Sequence, residues 1–333
     1  MAVVALSFDM RAPPFGAPPE RLYPAALEMI AYADRHGFDQ VVFPEHHASP
    51  DGYNPVPALL AAAAAARTEG IALVLGAIVL PLHDPVEVAE WIAVADQIAA
   101  GRIHAVLVAG YAESDFRLFG KSLADRARAM DEGLEVLTRA LAGERFPWRD
   151  REVFVRPLPR ARPPHLYVGG GVAAAARRAA RFGLGFWPLT REEELVPLYQ
   201  AECRRLGREP GPVLRTAVGV HVAEDPERAW AELGPHLIHL VQSYAQWAGD
   251  EARSSSPFHG LDSVEKIRAS GLVRVVTPDE AVALARHRPI SLTPLISGLD
   301  PERGWESLEL FVARALPRIR AEAQPSAEDS ASR

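Results

Sequence analysis

The chain has 333 residues, a hydrophobic share of 48% and a formal net charge of −7, enough apolar matter for one large core or two domains. The mild acidity argues against a nucleic-acid or anionic-membrane binder, and no apolar run has the length of a membrane span. The single cysteine, Cys203, excludes an internal disulfide and argues against a thiolate metal site.

Short apolar runs alternate with longer amphipathic ones along the chain. Residues 3–8 read as a strand, 21–36 as a helix stopped by Gly37, 40–43 as a second strand and 56–67 as the next helix. A third strand over 71–80 leads to a helix from Pro85 with Asp84 as its N-cap. Strand four covers 103–108 and a long helix 123–141; the Arg-, Pro- and aromatic-rich stretch 143–163 reads as a hairpin excursion. Strand 165–168 and helix 173–182 follow, then strands over 185–189 and 214–222 flanking a helix at 192–206. Residues 225–248 are helical, 249–262 are polar and Ser/Gly-rich in the manner of a lid, 290–296 form an eighth strand and 302–321 a last helix. Eight strand–helix units predict an α/β fold, a (β/α)8 TIM barrel over 1–322 with insertions at its C-terminal mouth and a disordered tail over 323–333. No Gly-x-Gly-x-x-Gly follows the first strand, so a Rossmann nicotinamide site is not expected. No basic region and apolar core lead the chain, so no signal peptide is expected and a cytoplasmic location is.

Glu45-His46-His47 follows strand two and precedes a Gly/Pro loop. Ionisable groups at a buried strand end are costly unless paired or functional. The two histidines read as a base with its orienting partner, as metal ligands, or as polar groups closing a strand. Neighbouring His83 and Asp84 offer no tight ligand spacing, so no metal is expected. Gly76 inside strand three marks a bulge or a close backbone approach. Gly110-Tyr111 ends strand four; the tyrosine suits covering a ring or bonding a phosphate, or it is a surface aromatic beside a turn. Gly169-Gly170-Gly171-Val172 runs into a helix N-terminus, where open amides and the helix dipole suit a phosphate. His236 and His239, three apart on one helix, read as packing or surface groups, and Cys203 as a structural thiol.

These segments together resemble the bacterial luciferase-like flavin-dependent monooxygenases. The resemblance is carried by Gly37-Phe38-Asp39, Glu45-His46-His47, residues 76–81 with Asp84-Pro85, Asp96-Gln97, Gly101-Arg102, Gly110-Tyr111 and Asp115-Phe116-Arg117, with weaker echoes at Gly169-Gly170 and residues 294–299. It implies a barrel that binds reduced FMN, or alternatively coenzyme F-420, at its C-terminal mouth. A cis peptide between Gly76 and Ala77 would support the flavin ring, His46 would be the catalytic acid/base, and Gly110, Tyr111 and the segment from Gly169 through Gly170 and Gly171 to Val172 would hold the ribityl phosphate. Ala109 and Val172 stand where luciferase carries an arginine and a serine, so phosphate binding falls to backbone amides or to other side chains. The implied reaction is oxygenation of a small organic substrate by molecular oxygen, with reduced flavin from a separate reductase and a homodimeric assembly. The alternatives are F-420-dependent hydride transfer and a catalytically silent flavin-binding protein. Phe8, Met10, Phe43, Tyr53 and Trp187 are candidates to line an apolar pocket.

Overall fold

The computed structural model describes residues 2–248 and 258–322. Its strands are β1 (Val4–Ser7), β2 (Gln40–Phe43), β3 (Ala72–Val79), β4 (Ile103–Val108), β5 (Phe146–Trp148), β6 (Arg151–Val153), β7 (His165–Gly169), β8 (Gly185–Trp187), β9 (Val218–Val222), β10 (Val273–Val276) and β11 (Ile290–Leu292). The helices are α1 (Pro19–Arg35), α2 (Pro57–Ala65), α3 (Pro85–Ile98), α4 (Glu113–Leu118), α5 (Arg126–Leu141), α6 (Ala173–Phe182), α7 (Glu192–Arg205), α8 (Pro226–Trp247), α9 (Val264–Ser270), α10 (Pro278–Ala285), α11 (Pro301–Arg314) and α12 (Leu316–Glu322). The chain divides into two compact units, one of Met1–Gln40, Ala217–Ala245 and Pro257–Arg333, the other of Val41–Thr216 and Gln246–Ser256.

In the first unit the strand order is β10-β9-β11-β1, with every pair parallel. Its core gathers Trp230, Leu233 and Leu237 of α8 with Ile267, Val273, Val275, Ile296 and Leu299. In the second unit the order is β2-β3-β4-β7-β8, and the pairs from β3 to β8 are parallel. Helices intervene between successive parallel strands because a parallel crossover needs a dozen or more residues. The 143–163 excursion is the expected hairpin, β5 antiparallel to β6.

Local signals set several boundaries. The Asp84 carboxylate accepts the Val86 amide at 2.9 Å and starts α3, while Gly183 at φ 69° ends α6. Two features depart from the expected element order. A short α4 stands where a loop was expected, and α9, β10 and α10 occupy 264–285, where no element was assigned. Thus β10 adds a parallel strand to the eight expected. The lid expected over 249–262 lies for the most part, and the tail over 323–333 entirely, outside the described residues.

Two histidines inside this framework make stability depend on pH. On β4, His104 stacks on His165 at 4.5 Å and holds Nδ1 3.1 Å from the Tyr167 hydroxyl. Burial first, then the charge of His165, push its pKa down from 6.5 to about 4. In the other unit, burial pushes His221 of β9 down to about 4 as well. Between pH 6.5 and 4 the unfolded chain therefore binds protons that the native state refuses, so stability falls as pH falls through that window. We expect the melting temperature of the double variant His104→Gln/His221→Gln to decline less steeply across it than that of the wild type. Parallel declines would refute this origin of acid sensitivity.

Candidate active site

The groups around Glu45 and His46 belong to the second unit. Beyond β2, the Glu45 and His47 side chains meet each other while the His46 ring turns to Asp115. Glu45 is buried. Its Oε1 lies 2.8 Å from His47 Nε2 and 2.6 Å from His83 Nε2, and its Oε2 accepts the Val79 amide at 3.0 Å. Burial alone would raise this carboxyl; the hydrogen bonds from the two imidazoles outweigh it and hold the group below the ordinary carboxylate range. The carboxylate thus fastens the end of β2 to the end of β3.

His46 Nδ1 lies 3.0 Å from Oδ2 of Asp115, a residue of α4 with 1% exposure. The second oxygen of Asp115 accepts the His47 amide at 3.3 Å. A carboxylate only accepts, so Nδ1 carries the proton and Nε2 presents a lone pair. The Tyr111 hydroxyl stands 3.2 Å from that Nε2 and donates to it. Trp247 stacks on the imidazole at 4.1 Å and 24°, and Tyr53 meets it edge-on at 5.0 Å. The result is an oriented imidazole, walled by aromatic rings, with a single tautomer and a proton donor at its working nitrogen. Such a group has the geometry to take up and return a proton at Nε2.

The glycines have structural reasons to be glycine. The Gly76–Ala77 peptide is cis, and the β3–β4 register shifts between Gly76 and Ile78, as the glycine in mid-strand suggested. A Cβ on Gly76 would stand 2.7 Å from the Trp187 ring and 2.9 Å from Val42. Gly110 has φ +77° and its Cβ would stand 2.6 Å from Val79 and 2.9 Å from Phe116. Two strands along from β3, Gly169 ends β7, Gly170 donates its amide to the Trp187 carbonyl at 3.0 Å, and Gly171 faces the Thr190 hydroxyl. Val172 is the N-cap of α6 and gives it no side-chain cap.

The structure therefore joins His46 with Tyr111, Asp115, Tyr53 and Trp247, and gathers Ala77 with Trp187 in an apolar cluster around Val74, Val106 and Tyr167. Gly169–Val172 stands at the head of α6 and joins that cluster through the Gly170 amide on the Trp187 carbonyl. In the sequence His83 was weighed only as a metal ligand, while Asp115, known from its motif, and Trp247 carried no individual role. Trp247 had no signal beyond residue type. His236 is a packing group, as expected: its Nδ1 donates to the Ser297 carbonyl at 2.9 Å and its ring meets Phe15 edge-on. Cys203 is buried.

The fold and the site define an α/β enzyme whose ionisable groups stand beyond the C-terminal ends of parallel strands. The chain belongs to the luciferase-like monooxygenase family, whose model matches residues 8–286. It is 26% identical over 276 residues to limonene 1,2-monooxygenase of Rhodococcus erythropolis, covering 78% of this chain and 70% of that protein. It is 27% identical over 325 residues to 4-hydroxyprotoasukamycin monooxygenase of Streptomyces nodosus subsp. asukaensis, covering 88% and 86%. Among solved structures, monooxygenase RslO1 of Streptomyces bottropensis superposes with a TM-score of 0.75 at 24% identity over 95% of this chain and 99% of that one. The FMN complex of the oxygenating constituent of 3,6-diketocamphane monooxygenase from Pseudomonas putida gives 0.70 at 20% identity, over 96% and 99%. An F420-dependent secondary alcohol dehydrogenase gives 0.68 at 17% identity, over 96% and 99%. These likenesses confirm the α/β fold of the family.

Proposed function

We propose that the protein is a flavin-dependent monooxygenase that uses reduced FMN and molecular oxygen to oxygenate a small organic substrate. The observation that carries this reading is the buried His46–Asp115 pair with Tyr111 at Nε2. The residues present fit a flavin. Trp187 Nε1 is buried with no hydrogen-bond partner, in the same cluster as Ala77, and the first turn of α6 lacks a side-chain cap. Gly76 and Ala77 would support the ring, Gly110 and Tyr111 would flank it, and the loop from Gly169 and Gly170 to Gly171 and Val172 would seat the phosphate, with the amides of Gly171 and Val172 directed to it. When bound, reduced FMN supplies the electrons for oxygen activation. The protein's own part is to orient and to keep dry. His46 holds or delivers a proton at Nε2, Asp115 fixes its tautomer, and Trp247 and Tyr53 shield its ring from water.

The absence of a Rossmann fingerprint supports a separate reductase as the source of reduced flavin. Exposed Leu59 on α2 and exposed Val94 and Ile98 on α3 support a homodimer. The lone cysteine supports a cytoplasmic location, and no described helix is long and apolar enough to cross a membrane. Hydride transfer with coenzyme F-420 is the second reading, favoured by an α6 head that offers amides without a capping side chain.

Anaerobic titration with reduced FMN and with reduced F-420, followed by air, separates the two. Saturable FMN binding with oxygen uptake coupled to product supports the monooxygenase. Tight F-420 binding with no oxygen uptake would replace it with the hydride-transfer enzyme.

A further inference from the structure

We propose that Glu45, His47 and His83 form a binding site for one divalent transition-metal ion, zinc being the reference ion, beside the His46–Asp115 pair. Glu45 Oε1, His47 Nε2 and His83 Nε2 all lie within 4.8 Å of one another, the one such group of three ligands among the described residues. The sequence gave reason to expect no metal, because no tight ligand spacing is visible in it. The fold supplies the spacing in two ways. Glu45 and His47 are two apart in the chain and meet at Oε1, and the loop between β3 and α3 brings His83 to the same carboxylate oxygen.

Two imidazoles and one carboxylate are a donor set that zinc and its neighbours bind well. The side chains are 1%, 7% and 8% exposed for Glu45, His47 and His83, so the donors are largely withdrawn from competing water. Tetrahedral zinc with bonds of about 2.0–2.2 Å holds its ligand atoms roughly 3.4 Å apart. The nitrogens now stand 2.8 and 2.6 Å from Oε1, so each draws back by roughly 0.6–0.8 Å to admit the ion. Imidazole rotation about the side-chain bonds suffices for that. Oε2 keeps its bond from the Val79 amide, which orients the carboxylate as an outer hydrogen bond does in metal sites.

Of the three ligands, His83 also borders a cavity, of about 120 Å³, together with Asp84, Lys121, Glu132, Trp148 and Arg149. Phe119 packs edge-on against both imidazoles, at 4.7 and 5.6 Å, and closes another face. Because His46 stands between two of the ligands, a bound ion would stiffen the segment that aims it.

The test is metal retention by the full-length, tag-free protein. The protein is stripped with chelator, dialysed against zinc or cobalt(II), and analysed for bound metal and for the visible spectrum of cobalt. The expected result is one equivalent retained, with the intense visible bands of low-coordinate cobalt. Glu45→Gln and His83→Asn should each weaken zinc affinity roughly 100-fold or more, with circular dichroism confirming the fold, while His46→Asn retains the ion. Substoichiometric metal in the wild type would overturn the proposal and leave the cluster a hydrogen-bonded brace. So would retention unchanged in a folded His83→Asn or Glu45→Gln variant. The wild-type measurement decides the matter even if a variant fails to fold.

Discussion

Replacing His46 by alanine lowers turnover by about 10²–10⁴-fold, the ordinary contribution of a positioned acid or base, while reduced FMN still binds within a few-fold of its wild-type affinity. The expectation rests on the division of labour in the site. His46 is braced by Asp115 at 3.0 Å and faces Tyr111 at 3.2 Å, whereas the proposed phosphate seat lies at the head of α6. Asp115→Asn supplies the internal control. An amide presents both a donor and an acceptor, so the tautomer of His46 is no longer dictated. Turnover should fall with an altered pH profile, and flavin affinity should again stay near wild type. Stopped-flow turnover and equilibrium flavin titration on the same preparations give both numbers. Equal loss of turnover and of flavin binding would assign His46 a binding or structural role instead.

Gly110→Ala is expected to cost about 2–5 kcal/mol of folding stability, from two separable sources. An L-residue in the left-handed region costs about 1–2 kcal/mol, and overpacking a filled core costs about 1–3 kcal/mol. Both apply at Gly110, at φ +77° with Val79 and Phe116 inside contact distance of the added methyl. Gly37 isolates the first source, for it has the same φ of +77° and nothing within 4 Å. Gly37→Ala should therefore cost only the backbone share. Urea unfolding of the two variants measures the difference; indistinguishable losses would remove the packing argument for Gly110. The glycine that ends β4 is thus required by the fold, whatever contact it also makes with a ligand.

Much of this architecture could be read from residue order because its causes are local. Asp84 before Pro85, Gly183 after α6 and the alternation of short apolar and long amphipathic runs act within a few residues of themselves. Elements of low contrast escaped. The six residues of α4 are too few for a period to show, and β10 is a four-residue strand preceded by the seven-residue α9. The site was legible in part. Glu45-His46-His47 announced itself by charge at a strand end, but its partners are set by topology: Asp115 reaches His46 across 69 positions and His83 reaches Glu45 across 38. No spacing rule carries such pairings. Motif membership also does not distinguish chemistry from architecture. Asp96 and Arg102 carry the family resemblance as strongly as His46 does. Yet Asp96 accepts the amides of Ile103 and Ala161, and Arg102 binds backbone at the start of β4.

That arginine shows what this architecture demands of substitution. One guanidinium reaches the carbonyls of Ala99, Ile71, Thr68 and Ala65 and the hydroxyl of Thr68, five acceptors met by a rigid planar fork. Lysine keeps the charge but offers three hydrogens from a single point, so charge-preserving exchange leaves carbonyls unanswered. In a survey of random variants position 102 would therefore score as intolerant as His46, the proposed acid/base, and a map of mutational sensitivity alone would mistake a rivet for a reagent.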